Sequence, residues 1–356
     1  MSNKKIVDDV EQNVKYQIKK IHEIIEARRT TNFQYLNELL HPSQKIDEKN
    51  SVLNQALSDS LLNSMASLID YYSICCMLKL GAAESKITKV QYRSLNNVFL
   101  IAKSTYLDNS EKGLATIDTL FTKYKSKLSE DPKLKSLNDH DYWLGFLGDA
   151  IYHSLKEYGA LERGEFKLCY DEEEGRLKID PKAEKYYFYM RPFFCNPANP
   201  SGLKHNIYID INNFLKHNAV PYLSTQVEIF EGEGRIFSYF EIKNEHVVFL
   251  KDGVLKDLAI CDFEELKCAL ELKKSNIDDW DYLCDLESKW GLGRVLTLDP
   301  VNGYIGKDRE FLYFYIDSVL LAKSKNAILV DAEKSFFTVL QELKREVERG
   351  LEFFKD

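Results

Sequence analysis

Glycine and proline are scarce, 16 and 8 residues in 356, which excludes a collagen-like or Pro/Gly-rich linker chain and predicts mostly short connections. Seven cysteines are present, but no pair has CxxC or zinc-ligand spacing, and the count is odd. Most sit in apolar runs, where a reduced thiol behaves as a small hydrophobe. The opening MSNKKIVDDVEQ lacks the apolar core of a signal peptide, so the cytoplasm is the expected compartment. Motifs for common chemistries are missing as well. Gly306-Lys307 lacks the upstream Gly and following Ser or Thr of a phosphate-cradling loop, and Gly291-Leu292-Gly293 lacks the third glycine of a dinucleotide site. HExxH and GxSxG are absent, and no cofactor motif is found.

Basic charge is also short. Net charge is −8. Residues 1–160 hold 21 Lys and Arg against 20 Asp and Glu, leaving 27 against 36 in the remainder. A duplex-binding surface needs several cations on phosphates, so nucleic acid is not an expected partner. What is abundant is aromatic: 21 Tyr and 20 Phe, with 44% hydrophobic and 29% charged residues. That composition belongs to folded globular chains with large aromatic cores. Frequent Lys, Asn, Ile and Tyr fit an AT-rich bacterial genome.

The chain divides by hydrophobic period. Val7, Val10, Val14, Ile18, Ile21 and Ile25 recur at three- and four-residue steps and predict a helix over 6–29. Its apolar stripe is narrow, so residues 6–25 are the expected contact to a protein partner or a second copy. Thr31-Asn32 reads as a cap for a separate helix over 33–41, stopped by Pro42. Residues 51–80 predict a long helix ended by Gly81. Its apolar run 65–78 is interrupted by Asp70 and too short for a membrane span, so it reads as a core helix. Helices follow over 88–106, 111–128 and 139–158. Residues 1–160 therefore form an expected all-α domain.

From residue 161 the period becomes two, and 161–356 is the expected α+β domain. A hairpin is predicted from 166–170 and 176–179 around the acidic tip 171–175, then strands at 185–191 and 206–211 and a short helix at 212–217. Val227–Ala259 reads as a four-stranded meander at the domain centre, with turns at Gly232–Gly234 and Lys251-Asp252-Gly253. Asp262 caps a helix over 263–274, and another covers 278–290. Extended runs are predicted at 295–298, 311–316 and 327–330, while 319–323 fits strand or helix. Phe336, Leu340, Leu343, Val347 and Leu351 mark a C-terminal amphipathic helix. The fold class is α+β.

Three constellations offer chemistry. Glu241-Ile242-Lys243 on a strand, with Asp210 on another, is how metal-dependent nucleases hold Mg²⁺ beside a water-orienting lysine. The predicted turn pairs Ile229 with Phe237 and Glu228 with Ser238, which puts Glu228 on the face opposite Glu241 and Lys243. His140, Asp141, Asp149 and His153 carry the residue types of a helical phosphohydrolase; a cap and a surface ion pair account for them equally. The loop 192–205 holds three prolines and is flanked by Arg191 and His205. Arg191, Asn196, Asn199, Lys204 and His205 give it donors suited to an anion, and long irregular loops in compact domains are often functional. The expectation is a cytoplasmic two-domain protein acting through protein contacts, with a metal-dependent nuclease as the alternative and no membrane association.

Overall fold

The computed structural model describes residues 2–40, 48–88, 90, 117–135, 137–161, 169–193, 203–217, 222–230, 233–250, 254–260, 262–274, 304–305, 312–316 and 319–353. The helices expected at 88–106 and 278–290 and the extended run at 295–298 lie outside these residues. By contact the chain groups into two units, one of Met1–Lys15, Leu68–Pro192 and Gly350–Asp356, the other of Tyr16–Ser67 and Phe193–Arg349. The fold is α+β, with two antiparallel sheets among the described residues.

In the first unit, α2 (Glu48–Lys79) ends and α5 (Asp139–Glu157) is central. The run 65–78 is the buried part of α2, with Leu68, Ile69, Tyr72 and Cys76 at most 1% exposed. It is the one described helix long and apolar enough to cross a membrane, and most of that window is buried. Both helices stop alike. Ala82 N–H reaches Met77 O (3.0 Å) and Ala160 N–H reaches Leu155 O (2.8 Å), while Gly81 (φ 98°) and Gly159 (φ 73°) take the left-handed position these caps require. A one-turn helix, α3 (Glu84–Ile87), follows α2. Phe121 of α4 (Ile117–Leu128) stacks on Trp143 of α5, with centroids 3.9 Å apart. The hairpin β1 (Cys169–Asp171) and β2 (Arg176–Lys178) forms around the acidic tip as expected. It leads chain onto Gly145 and Gly148 of α5, where an added Cβ would sit 2.5 Å from Leu177 and Ile179. Those two glycines make the close approach available.

The strand expected at 185–191 is instead helix α6 (Pro181–Met190). Asp180 Oδ1 accepts from Lys182 N (2.9 Å) and Ala183 N (3.2 Å), and Pro181 takes the first helical position, where its missing N–H costs nothing. Ala183, Tyr186 and Met190 are buried at three- and four-residue steps. The cap decides over the β-favouring tyrosines.

α1 (Ser2–Leu40), whose residues from Tyr16 on belong to the second unit, runs unbroken through the expected cap at Thr31-Asn32. Thr30 and Thr31 hydroxyls bond back to Glu26 O and Ala27 O within the helix, so neither serves as a cap. The strand expected at 206–211 is part of α7 (Leu203–His217), with Ile207, Tyr208, Ile211 and Phe214 buried on a helical period.

Only the first half of the expected meander is a hairpin. β3 (Tyr222–Phe230) pairs with β4 (Glu233–Lys243), ending at Phe230↔Glu233. The register is Glu228↔Arg235, a slip of three from the expected pairing. An odd slip reverses faces: Glu228 takes a position on the same side of the sheet as Glu241, not the opposite one. The rest, α8 (Asn244–Val247) and α9 (Val254–Ile260), is helical. Asn244 ends the strand by giving its N–H to Asn326 O (2.8 Å), and Val247, Leu250, Leu255 and Leu258 are buried. Asp262 caps α10 (Phe263–Lys274) as expected, accepting from Glu264 N and Glu265 N.

β4 finds its second neighbour far along the chain. The six-stranded sheet has the order β3-β4-β8-β7-β6-β5, with β5 (Tyr304–Ile305), β6 (Leu312–Ile316), β7 (Val319–Lys323) and β8 (Ala327–Asp331). β7 and β8 are buried at every position, which explains why their sequences show no alternation. α11 (Lys334–Phe353) buries the expected apolar face, with Phe336 edge-on to Phe240 at 6.3 Å.

Candidate functional site

The loop with anion-suited donors is anchored at its ends. Arg191 begins a 3₁₀ turn, Arg191–Phe193, and Lys204 and His205 fall in the first turn of α7. Buried Asn206 Nδ2 donates to Phe193 O at 3.0 Å, so the two ends of the loop are hydrogen-bonded to each other. Asn196 and Asn199 lie outside the described residues.

Asp210 is on helix α7, not on a strand. Its Oδ2 accepts from Leu255 N at 3.3 Å, in the first turn of α9. Glu241 is half-buried and Lys243 exposed on β4. The acid that the register brings nearest is another one. Asp331 stands opposite Tyr239 and Leu329 opposite Glu241, so Asp331 shares the face of Glu241 and Lys243 on the adjacent strand. Glu228 shares that face too, but its partner Arg235 is six residues from Glu241, about 20 Å at a rise of about 3.3 Å per residue. Among the described residues, no three His, Cys, Asp or Glu side chains gather at metal-binding distance.

Asp331 is engaged at the junction of β8 and α11. It is 3% exposed. Oδ1 accepts from Glu333 N (2.6 Å), and Oδ2 accepts from Ser335 N (3.4 Å) and Ser335 Oγ (3.1 Å). Burial pushes its carboxyl above the ordinary aspartate range, against the lowering effect of these bonds. Ser335 Oγ in turn accepts from Leu320 N (3.0 Å), and Tyr208 O–H donates to Asp331 O (2.9 Å). Glu333 receives the fully buried Arg28 guanidinium, whose Nε donates to Ser58 Oγ (2.9 Å) and whose Cζ lies 5.3 Å from the Phe337 ring centre. On β7, buried Lys323 Nζ donates to Leu258 O and, at 3.1 Å, to Ala259 O near the end of α9. Carbonyls at a helix C-terminus favour a cation. Sequence reading missed this network because its members lie up to 305 residues apart.

Asp149 and His153 make the expected one-turn pair, 3.7 Å apart, and Asn138 rather than His140 or Asp141 caps α5, accepting from Asp141 N (3.0 Å). On α1, Val14, Ile18 and Ile21 of the narrow stripe are buried, at 9% exposure or less. Exposed apolar groups stand elsewhere. Val248 and Phe249, 71% and 62% exposed, are adjacent in the turn after α8. That turn is fixed: Phe249 N bonds His246 O (3.1 Å), Leu250 N bonds Val247 O (2.9 Å), and Val247 and Leu250 are buried on either side. His246 packs against Phe214, centroids 5.6 Å apart. Within the run VVFL, hydrophobicity alone did not separate the two inward residues from the two outward ones.

The chain matches no protein-family model, no curated protein and no solved structure.

Proposed function

We propose that the protein works by protein–protein contact, as an assembly or accessory factor in the cytoplasm, rather than by catalysis. The observation that supports this is the Val248–Phe249 pair, two large apolar side chains held out by a turn whose neighbours are buried. Aromatic side chains fixed in place act as anchors in interfaces, since little conformational entropy is left to lose on binding. A partner surface covering both would bury their apolar area, at about 25 cal/mol per Å². With the middle of the α1 stripe buried, Tyr16 is an exposed group that α1 offers to a partner.

The test places a photo-crosslinking phenylalanine analogue at Phe249 of the full chain in its native cell. Defined protein adducts, lost when Val248 is changed to Asp, are the expected result. Absence of any protein adduct contradicts the reading. The nuclease alternative rests on Asp210, Glu241 and Lys243, of which Glu241 and Lys243 share a face of β4 and Asp210 is on helix α7. Purified protein with Mg²⁺ and single- or double-stranded DNA or RNA decides it: cleavage abolished by Glu241→Ala and by Lys243→Ala in folded protein would replace the contact reading with the enzyme.

A further inference from the structure

β3 closes one end of the six-stranded sheet. The direction of its outer hydrogen-bonding groups follows from the neighbouring strands. Ala332 N bonds Ser238 O (2.7 Å) and Asn244 N bonds Asn326 O (2.8 Å), so even-numbered residues of β4 turn their backbone groups toward β8. Odd-numbered β4 residues therefore bond β3, and the register gives them Tyr222, Ser224, Gln226 and Glu228 as partners. Leu223, Thr225, Val227 and Ile229 are left pointing outward. An independent contact agrees: Leu223 N donates outward, to Gln55 Oε1 of α2, at 3.0 Å.

Exposed edges are normally blunted by short length, lysine, proline or bulges. β3 has nine residues, YLSTQVEIF, with no lysine, no proline and one charge, Glu228. Its pairing with β4 runs without a bulge. Gln55 guards the Leu223 end.

We infer that β3 pairs edge to edge, antiparallel, with β3 of a second copy of this chain, about a twofold axis at Val227. The sequence is self-complementary in that register. Val227 meets Val227 of the second copy, Thr225 meets Ile229, and Gln226 meets Glu228, so the one charge never opposes itself. Residues Thr225–Ile229 pair and Leu223 stays with Gln55. A twofold, isologous contact closes on itself and stops at a dimer. This rests on the protein-contact reading and supplies one partner, at a surface separate from Val248–Phe249.

The experiment is the mass of the full chain by light scattering and sedimentation, with two proline variants. Wild type is expected to be a dimer that dissociates on dilution. Thr225→Pro removes only an outward N–H and should give a monomer with an unchanged far-UV spectrum; Gln226→Pro removes a donor to β4 and should disrupt the fold. A monomeric wild type overturns the inference, and so does a dimer that persists in folded Thr225→Pro. Should Thr225→Pro fail to fold, the wild-type mass still decides between dimer and monomer. A monomer that still gives Phe249 adducts overturns the edge pairing alone, and a monomer without adducts overturns both readings.

Discussion

The centre and the edge of the six-stranded sheet are built on opposite terms. At the centre, β7 and β8 are buried throughout, and their ends are fastened by charged and polar side chains: Asp331 to the start of α11, Lys323 to the end of α9. At the edge, the outer side of β3 carries a hydrogen bond from Leu223 N to Gln55 of α2. The comparison separates two jobs. Substitutions at the centre should change stability and leave association alone. Substitutions at the edge should do the reverse.

The largest effect is expected from Arg28→Ala. A buried guanidinium loses Ser58, Glu333 and the face of Phe337; because Glu333 is part-exposed and can rehydrate, roughly 2–4 kcal/mol of unfolding free energy is expected, below the top of the range for broken buried pairs. Denaturant unfolding measures it, and a change under 1 kcal/mol, by the scale of exposed pairs, would show the pair to be peripheral. Asp331→Ala should cost roughly 2–3 kcal/mol, because a cap and a buried hydroxyl lose their acceptor together. Its pH signature is specific. A carboxyl raised on folding contributes stability fully present below the unfolded value, near 4, and lost as pH rises through the folded one. Asp331→Asn should therefore flatten that part of the stability curve, and an unchanged profile would remove Asp331 from the account.

Tyr208→Phe, losing one buried hydrogen bond to Asp331 O, should cost about 1 kcal/mol. Asp262→Ala removes the same kind of cap from an exposed helix start and should cost only about 0.5–1 kcal/mol, sharpening the contrast with Asp331. All five variants should keep the mass of the wild type. A central variant that changes mass at native pH while folded would break the division between centre and edge.

Where local chemistry decides structure, it could be read in advance. Gly81 and Gly159 end helices, Asp262 opens one, the acidic tip turns β1 into β2, and α11 buries the five residues its period picks out. Failures came where two local signals compete. Tyr186, Tyr187 and Tyr189 favour a strand, yet Asp180 and Pro181 start a helix. VVFL and VLKDLAI are short apolar runs of strand length, but β4 takes β8 as its neighbour, a segment more than eighty residues on, and Asn244–Val247 and Val254–Ile260 are helical. The three-residue slip in β3–β4 arises because Gly234 and Glu233, expected in the turn, instead pair with Ile229 and Phe230. Of the site residues, the Asp149–His153 pair followed from helix spacing. The Arg28–Glu333–Asp331 network did not, because no periodicity relates α1 to β8.

The most direct test of the edge account is amide hydrogen exchange along β3 in the wild-type chain, read residue by residue at low and high protein concentration. Ser224, Gln226 and Glu228 donate to β4 and should be protected at both. Thr225, Val227 and Ile229 point outward and should exchange freely when dilute and become protected when concentrated. Free exchange of these three at every concentration would contradict the account.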